Sequence, residues 1–167
     1  MIALKPLSAD AIPAALTRAE RYRLLNEPDQ AESICLDVLA TEPDRREAVV
    51  TLLLALTDRF GRGDGGPVAR AQKLAASLES DYERAYYAGL VAERHARALI
   101  ESPSPGGARA AGQWFREAMD HFATAEAVRP PGNDDARLRW NACARMLNAH
   151  PALRDVDTEP ATPVMLE

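Results

Sequence analysis

At 167 residues the chain is long enough for one domain whose core needs neither a metal nor a disulfide. Hydrophobic residues make up 47% of it and aromatic residues only 5%, so alanine and leucine supply the apolar content, which favours helices over strands. The formal net charge of −5 argues against nucleic acid as a partner, because phosphate binding depends on a basic surface.

The first two predicted helices form a hairpin. The first runs from about Ala11 to Asn26, with Asp10 as its N-cap, and the second begins at Pro28 and ends near Thr41. The apolar stripe of the first helix comprises Ile12, Ala15, Leu16, Ala19, Tyr22 and Leu25. So short a link between two helices makes them antiparallel neighbours.

The third and fourth predicted helices are separated by a glycine-rich break. The third begins after Asp44, which forms a variant capping box with Glu47, and it continues to about Phe60. Glycines then dominate residues 61–66, which hold neither a helix nor a strand well. Pro67 begins the fourth helix.

The fifth predicted helix begins at a second capping box, formed by Ser80 and Glu83. Its apolar residues are Tyr86, Tyr87, Leu90, Val91 and Leu99. Because these residues occupy more than one side of the helix, we expect a central element that touches several neighbours.

The sixth and seventh predicted helices complete the domain. A Ser-, Pro- and Gly-rich break over residues 102–107 precedes the sixth, which ends near Val128, and Asn133 caps the seventh. The stripe of the seventh helix comprises Ala136, Trp140, Cys143 and Leu147. These elements divide the chain into a lead-in (1–10), a helical domain (11–149) and a flexible acidic tail (150–167). The tail ends in Pro163–Glu167, either a docking segment or a stretch without function.

One pattern of small, bulky and small residues followed by proline occurs twice. Its members are Ala31, Cys35, Val38 and Pro43, and then Ala118, Phe122, Ala125 and Pro130. The first three of each set share one helix face. The pattern resembles the second helix of the tetratricopeptide repeat family. This resemblance implies an all-α fold, a short α-solenoid of about seven helices in antiparallel pairs, with a terminal helix sealing the stack.

The same resemblance implies a concave groove, lined by the first helix of each pair (helices one, three and five) and completed by helix seven, in which a partner protein or peptide lies. Residues that the core does not need there are the candidate groove residues: Glu20, Arg23, Tyr86, Arg94, Arg97, Arg137, Asn141 and Arg145. Arginine and tyrosine are concentrated at interfaces, which supports the assignment. The alternative for each is an ordinary solvated charge or a core tyrosine.

No catalytic set, metal site or cofactor motif is found in the sequence. Glu117 and His121 lie one helical turn apart, as two metal ligands or as a solvated pair on the outer face. Cys35 and Cys143 lie on apolar helix faces, and we expect them to be buried, with a disulfide or a reactive thiol as the alternative.

The sequence therefore favours a non-catalytic interaction module, an adaptor, scaffold or accessory subunit of a bacterial cytoplasm without membrane insertion. A dedicated small acidic chaperone for a secreted substrate, similar to those of type III secretion, is a second hypothesis. An enzyme or metal-binding protein with a site built across several helices is the third. Exposed faces at the ends of a short stack also allow a homodimer.

Overall fold

The computed structural model describes residues 2–62, 66–102 and 104–154, and this part of the chain is helical without any strand. The α-helices are α1 (Ile12–Leu24), α2 (Pro28–Thr41), α3 (Arg46–Thr57), α4 (Gly66–Ala76), α5 (Asp81–Glu101), α6 (Gly107–Ala127) and α7 (Asp135–Ala149). Short 3-10 turns at Ala9–Ala11 and Pro151–Leu153 flank them. The all-α class and the seven helices are confirmed.

The turn between α1 and α2 shows why the chain reverses where it does. Asn26 has a φ of +60°, a left-handed conformation that asparagine adopts more readily than most residues. The amide of Glu27 donates to the carbonyl of Tyr22 and that of Asn26 to the carbonyl of Arg23, the bonds of a Schellman motif. The last carbonyls of α1 are thereby satisfied, and α2 begins at once.

Each helix packs against the one that follows it in the chain. In addition, α1 contacts α3, and α3 contacts α5, so these three odd-numbered helices are neighbours in space. The contact between α5 and α6 is the most extensive in the molecule, and α6 also contacts α7 and the 3-10 turn Pro151–Leu153. No helix of the described residues is long and apolar enough to cross a membrane.

The core forms three clusters in chain order, and the repeated pattern lies within it. The pattern's six helical residues are all fully buried: Ala31, Cys35, Val38, Ala118, Phe122 and Ala125. The helix α5 contributes Val91 to the middle cluster and Ala92 and Ala96 to the last one. The prediction of a central fifth helix is therefore confirmed.

Close approach of α6 to α5 depends on a glycine. A Cβ atom built on Gly89 would lie 2.7 Å from the ring of Phe122, closer than van der Waals contact allows. The ring therefore rests directly on the backbone of α5. Gly112 likewise allows the 3-10 turn Pro151–Leu153 to approach α6 closely, since a Cβ atom on Gly112 would overlap the carbonyl oxygen of Leu153.

Two of the predicted N-caps are wrong, and a third is shifted by one residue, because Asp134 occupies the N-cap position of α7 while Asn133 Oδ1 accepts from the amide of Asp135. Asp10 lies within the 3-10 turn that precedes α1, and α3 begins two residues beyond Asp44 with Arg45 at its N-cap position. The carboxylate of Glu47 instead accepts a hydrogen bond from its own backbone amide, which lowers its pKa. At α5 the prediction is confirmed in part: Ser80 Oγ accepts from the amide of Glu83, while the Glu83 carboxylate turns to Arg46.

The ends of the helical stack differ from the sequence prediction in three ways. Trp140 is 37% exposed, because α7 is the last helix and buries only a narrow stripe against α6. Leu25 follows α1 in the turn and is exposed as well. Leu153, assigned to the tail, is buried in the last cluster, so packing continues past the predicted boundary at 149. The predicted docking segment 163–167 lies outside the described residues.

Both cysteines are buried and free, which confirms the structural assignment. Burial raises the pKa of Cys35 and of Cys143 from 9.0 to about 12. Both thiols are therefore protonated and shielded in the folded protein at neutral pH, and a reactive role for either would require the core to open.

We expect the free energy of unfolding to fall as the pH rises above 9, because the unfolded chain then ionises two thiols that the folded chain keeps protonated. Stability from these groups is complete below pH 9 and is lost between pH 9 and about 12. From pH 8 to about 9.5 the loss is about 1–2 kcal/mol for the two thiols together. Urea unfolding of the wild type and of a Cys35→Ala, Cys143→Ala variant across this pH range measures the loss of unfolding free energy. If stability fell equally with pH in the two proteins, the buried thiols would not be its cause.

Candidate partner-binding surface

An ion-pair chain connects the ends of the first three odd-numbered helices. Asp58, directly after α3, accepts from Arg23 of α1 at 2.8 Å and from Arg94 of α5 at 2.6 Å. Arg94 also donates to the hydroxyl of Thr57 at 2.7 Å. The side chains of Arg23, Asp58 and Arg94 are each less than a third exposed. These ion pairs therefore fix the spacing of α1, α3 and α5.

A second ion-pair group connects α5 to α7. Glu93 is only 1% exposed, and its carboxylate accepts from Arg97 at 3.0 Å and from Arg139 at 3.3 Å. Arg139 also bonds to the side chain of Tyr86. A buried carboxylate is tolerated here because two guanidinium groups satisfy it.

The structure places the eight candidate groove residues in different settings. Arg23, Arg94 and Arg97 belong to the two ion-pair groups above: Arg23 and Arg94 bind Asp58 at the end of α3, and Arg97 binds Glu93 of its own helix. Arg137 pairs with Glu126 at 2.6 Å on the surface. The remaining polar candidates lie apart from these groups: Glu20 and Arg145 are exposed, and Asn141 is partly buried. Tyr86 lines a cavity.

That cavity is a cleft of about 410 Å³ between α3, α5 and the turn before α7. Three partly buried tyrosines line it, with Tyr82 and Tyr86 stacked at 5.7 Å between ring centroids and Tyr87 edge-on to Tyr86 at 5.3 Å. The hydroxyl of Tyr82 donates to Oδ1 of Asn133, which also accepts from the amide of Asp135. These bonds hold the aromatic wall against the start of α7.

A second cavity of about 390 Å³ adjoins the first, and we call the two together the tyrosine cleft. Its lining comprises Pro43, Asp44, Arg46, Val49, Ser77, Leu78, Glu79, Ser80 and Glu83. Three residues, Arg46, Ser80 and Glu83, belong to both cavities. Glu83 accepts from Arg46 Nε at 2.7 Å, so an ion pair between α3 and α5 marks the middle of an elongated depression.

Tyr82 and Tyr87 stay neutral at physiological pH. Burial raises the pKa of Tyr82 and that of Tyr87 above the ordinary value. Their hydroxyl groups therefore remain hydrogen-bond donors. The ring faces supply apolar contact area and carry a partial negative charge.

A third depression, of about 610 Å³, lies between α4, α5 and α6. Ala85 and Ala88 are among its lining residues, and Asp81 and Arg84 at its edge pair with each other. It has no aromatic lining, so it offers fewer of the contacts that interfaces concentrate than the tyrosine cleft does.

The structure supplies no metal centre among the described residues, where no group of three or more potential ligands comes together. Glu117 Oε1 and His121 Nε2 are 3.9 Å apart on α6, where Glu117 is exposed and His121 is partly buried. His95 lies between the rings of Phe60 and Trp114, and burial there lowers its pKa.

Sequence reasoning missed most of the tyrosine cleft. Tyr82 and Tyr86 are four residues apart, so their shared helix face was detectable. The pairing of Arg46 with Glu83 joins residues 37 positions apart and left no local signal. Comparison with protein-family models, with curated proteins and with solved structures finds no match. The function must therefore be argued from this geometry.

Proposed function

We propose that the protein is a non-catalytic interaction module that holds a partner protein or peptide against its odd-numbered helices. The helices would form a short solenoid of hairpins similar to tetratricopeptide repeats. Contacts of each helix with the next, and of α1 with α3 and α3 with α5, support this arrangement. Surface curvature in such a stack produces an extended binding face.

The observation that carries the proposal is the tyrosine cleft. Tyrosine and arginine dominate the energetics of protein interfaces, because they bring large contact areas and hydrogen bonds at a low entropic cost. Here three tyrosines and Arg46 line one elongated depression that is open to solvent. The remaining surface tyrosine, Tyr22, lies on α1 away from this cluster.

The two ion-pair groups support the same proposal in a different way. They occupy Arg23, Arg94 and Arg97 with internal partners and link four odd-numbered helices. A surface held in this manner loses little conformational freedom when a partner binds, which favours affinity. We therefore assign these arginines to the support of the binding face.

Site-specific photo-crosslinking tests the proposal. A photoreactive phenylalanine derivative replaces Ser77 at one end of the cleft or Pro130 at the other, and exposed Asp120 on α6 serves as the control position. After irradiation in an extract of the source organism, we expect the same partner to crosslink from both cleft positions and not from position 120. Absence of any product from the cleft, or equal products from all three positions, would refute the proposal.

A further inference from the structure

We infer that the occupant of the tyrosine cleft is a basic peptide segment, whose arginine or lysine side chains contact the tyrosine rings and the carboxylates around them. This inference rests on the proposed function and adds the chemistry of the partner. It draws on the charge balance of the cleft, its aromatic lining and its shape.

The charges of the cleft are unbalanced. Its lining carries four carboxylates, on Asp44, Glu79, Glu83 and Asp135, and a single cation, Arg46. Glu83 already neutralises that cation. The other three carboxylates form no ion pair within the described part of the chain, and we call them the rim carboxylates.

Two arginines that lie within a helical turn of cleft residues are paired elsewhere. Arg84 pairs with Asp81 and donates to the carbonyl oxygens of Leu78 and Glu79. Arg139 is held by the buried carboxylate of Glu93. Neither arginine forms an ion pair with the rim carboxylates, and the net charge of −5 adds a long-range attraction for a cationic partner.

The aromatic lining suits the same ligand. A guanidinium or ammonium group is attracted to the face of a tyrosine ring, and the attraction grows when the site is partly shielded from water. Tyr82, Tyr86 and Tyr87 are all partly buried and line the same cavity as the carboxylates of Glu83 and Asp135. One cationic side chain can contact a ring and a carboxylate at the same time.

The shape of the cleft favours an extended segment over a compact small molecule. Two cavities of about 390 and 410 Å³ meet at the Arg46–Glu83 pair, so two side chains on the same face of a peptide can enter one on each side of it. Successive side chains of an extended chain point in opposite directions, so residues i and i+2 lie on the same face, about 7 Å apart, which suits such a pair of cavities.

Fluorescence anisotropy with three labelled peptides tests the inference on the full chain. The peptides share a Gly-Ser framework and carry arginine, glutamate or serine at the same alternating positions. We expect the arginine peptide to bind and the other two to bind at least about tenfold more weakly. Raising the salt from about 50 to about 300 mM should weaken the arginine peptide, because exposed charges are screened.

Two matched triple variants locate the binding. Asp44→Asn, Glu79→Gln and Asp135→Asn together neutralise the rim, and Asp10→Asn, Glu101→Gln and Asp120→Asn neutralise three exposed carboxylates elsewhere. Both proteins have the same net charge. We expect the rim variant to bind the arginine peptide about tenfold more weakly than the control variant, which keeps wild-type affinity. Circular dichroism of both variants verifies that they are folded.

Equal affinity of the two variants would overturn the inference, because attraction would then come from net charge alone. It would also be overturned if no peptide binds, or if the glutamate or serine peptide binds as tightly as the arginine peptide. None of these outcomes affects the crosslinking test, in which a partner of other chemistry would still react from positions 77 and 130. The inference and the proposed function can thus fail separately.

Discussion

Replacing Glu93 by alanine is expected to lower the free energy of unfolding by about 3 kcal/mol. The carboxylate is 1% exposed and accepts hydrogen bonds from Arg97 and Arg139, so its loss leaves two guanidinium groups without their counter-charge. These side chains are 42% and 39% exposed and recover some hydration, which keeps the effect at the lower end for a broken buried pair. Urea unfolding followed by circular dichroism measures it.

Glu126→Ala is the matched control for this prediction. Glu126 also accepts from an arginine, Arg137, but both side chains are far more exposed than Glu93. We expect a loss of no more than about 0.5 kcal/mol, because exposed pairs contribute little. If Glu93→Ala were no more destabilising than the control, the ion-pair group between α5 and α7 would not hold these helices together. Glu93→Gln, which keeps the shape of the side chain, should lie between the two.

Replacing Gly89 by alanine is expected to lower the free energy of unfolding by about 2 kcal/mol. Alanine is the better helix former by about 1 kcal/mol, so a substitution inside α5 would be stabilising in an open helix. The added methyl group, however, would lie 2.7 Å from the ring of Phe122, which is fully buried in the core. Overpacking of this kind costs about 3 kcal/mol and outweighs the gain in helix propensity.

A double-mutant cycle identifies the cause. Phe122→Leu alone should destabilise through the smaller side chain in the core. If the ring is what excludes the methyl group, Gly89→Ala in the Phe122→Leu background should cost at least about 1 kcal/mol less than in the wild type. Strict additivity of the two substitutions would mean that the methyl group is accommodated in another way. Chemical denaturation of the wild type, the two single variants and the double variant provides the four free energies of unfolding.

The helices themselves were predictable because their signals are local. Proline at the start of α2, Ser80 before α5 and the glycine-rich and proline-rich breaks all act within a few residues. The spacing of apolar residues along a helix is also a local signal, and it predicted which side chains are buried. Ala31, Cys35 and Val38 lie on the inner face of α2 as predicted. Capping was less predictable: α3 begins two residues after Asp44, and the composition of the turn does not reveal where the first helical hydrogen bond forms.

The candidate site was only partly predictable. Tyr86 was identified from its residue type and helix, and it does line the tyrosine cleft. Arg23 and Arg94 were identified on the same grounds, yet both bind Asp58, because the approach of α1 and α5 to the end of α3 brings a carboxylate between them. Which arginines face a partner and which bind the fold depends on contacts between residues more than 30 positions apart.

The sequence by itself determined the helical class, the order of the helices and most of the residues that form the core. Helix propensity, breaks and the spacing of apolar residues act over a few positions, so the chain carries this information directly. Only the tertiary structure decided that Gly89 admits the ring of Phe122, that Glu93 is buried between two arginines, and that three tyrosines share a cleft with uncompensated carboxylates. Each of these depends on the distance and angle at which helices pack, which arise from side-chain packing across the whole domain.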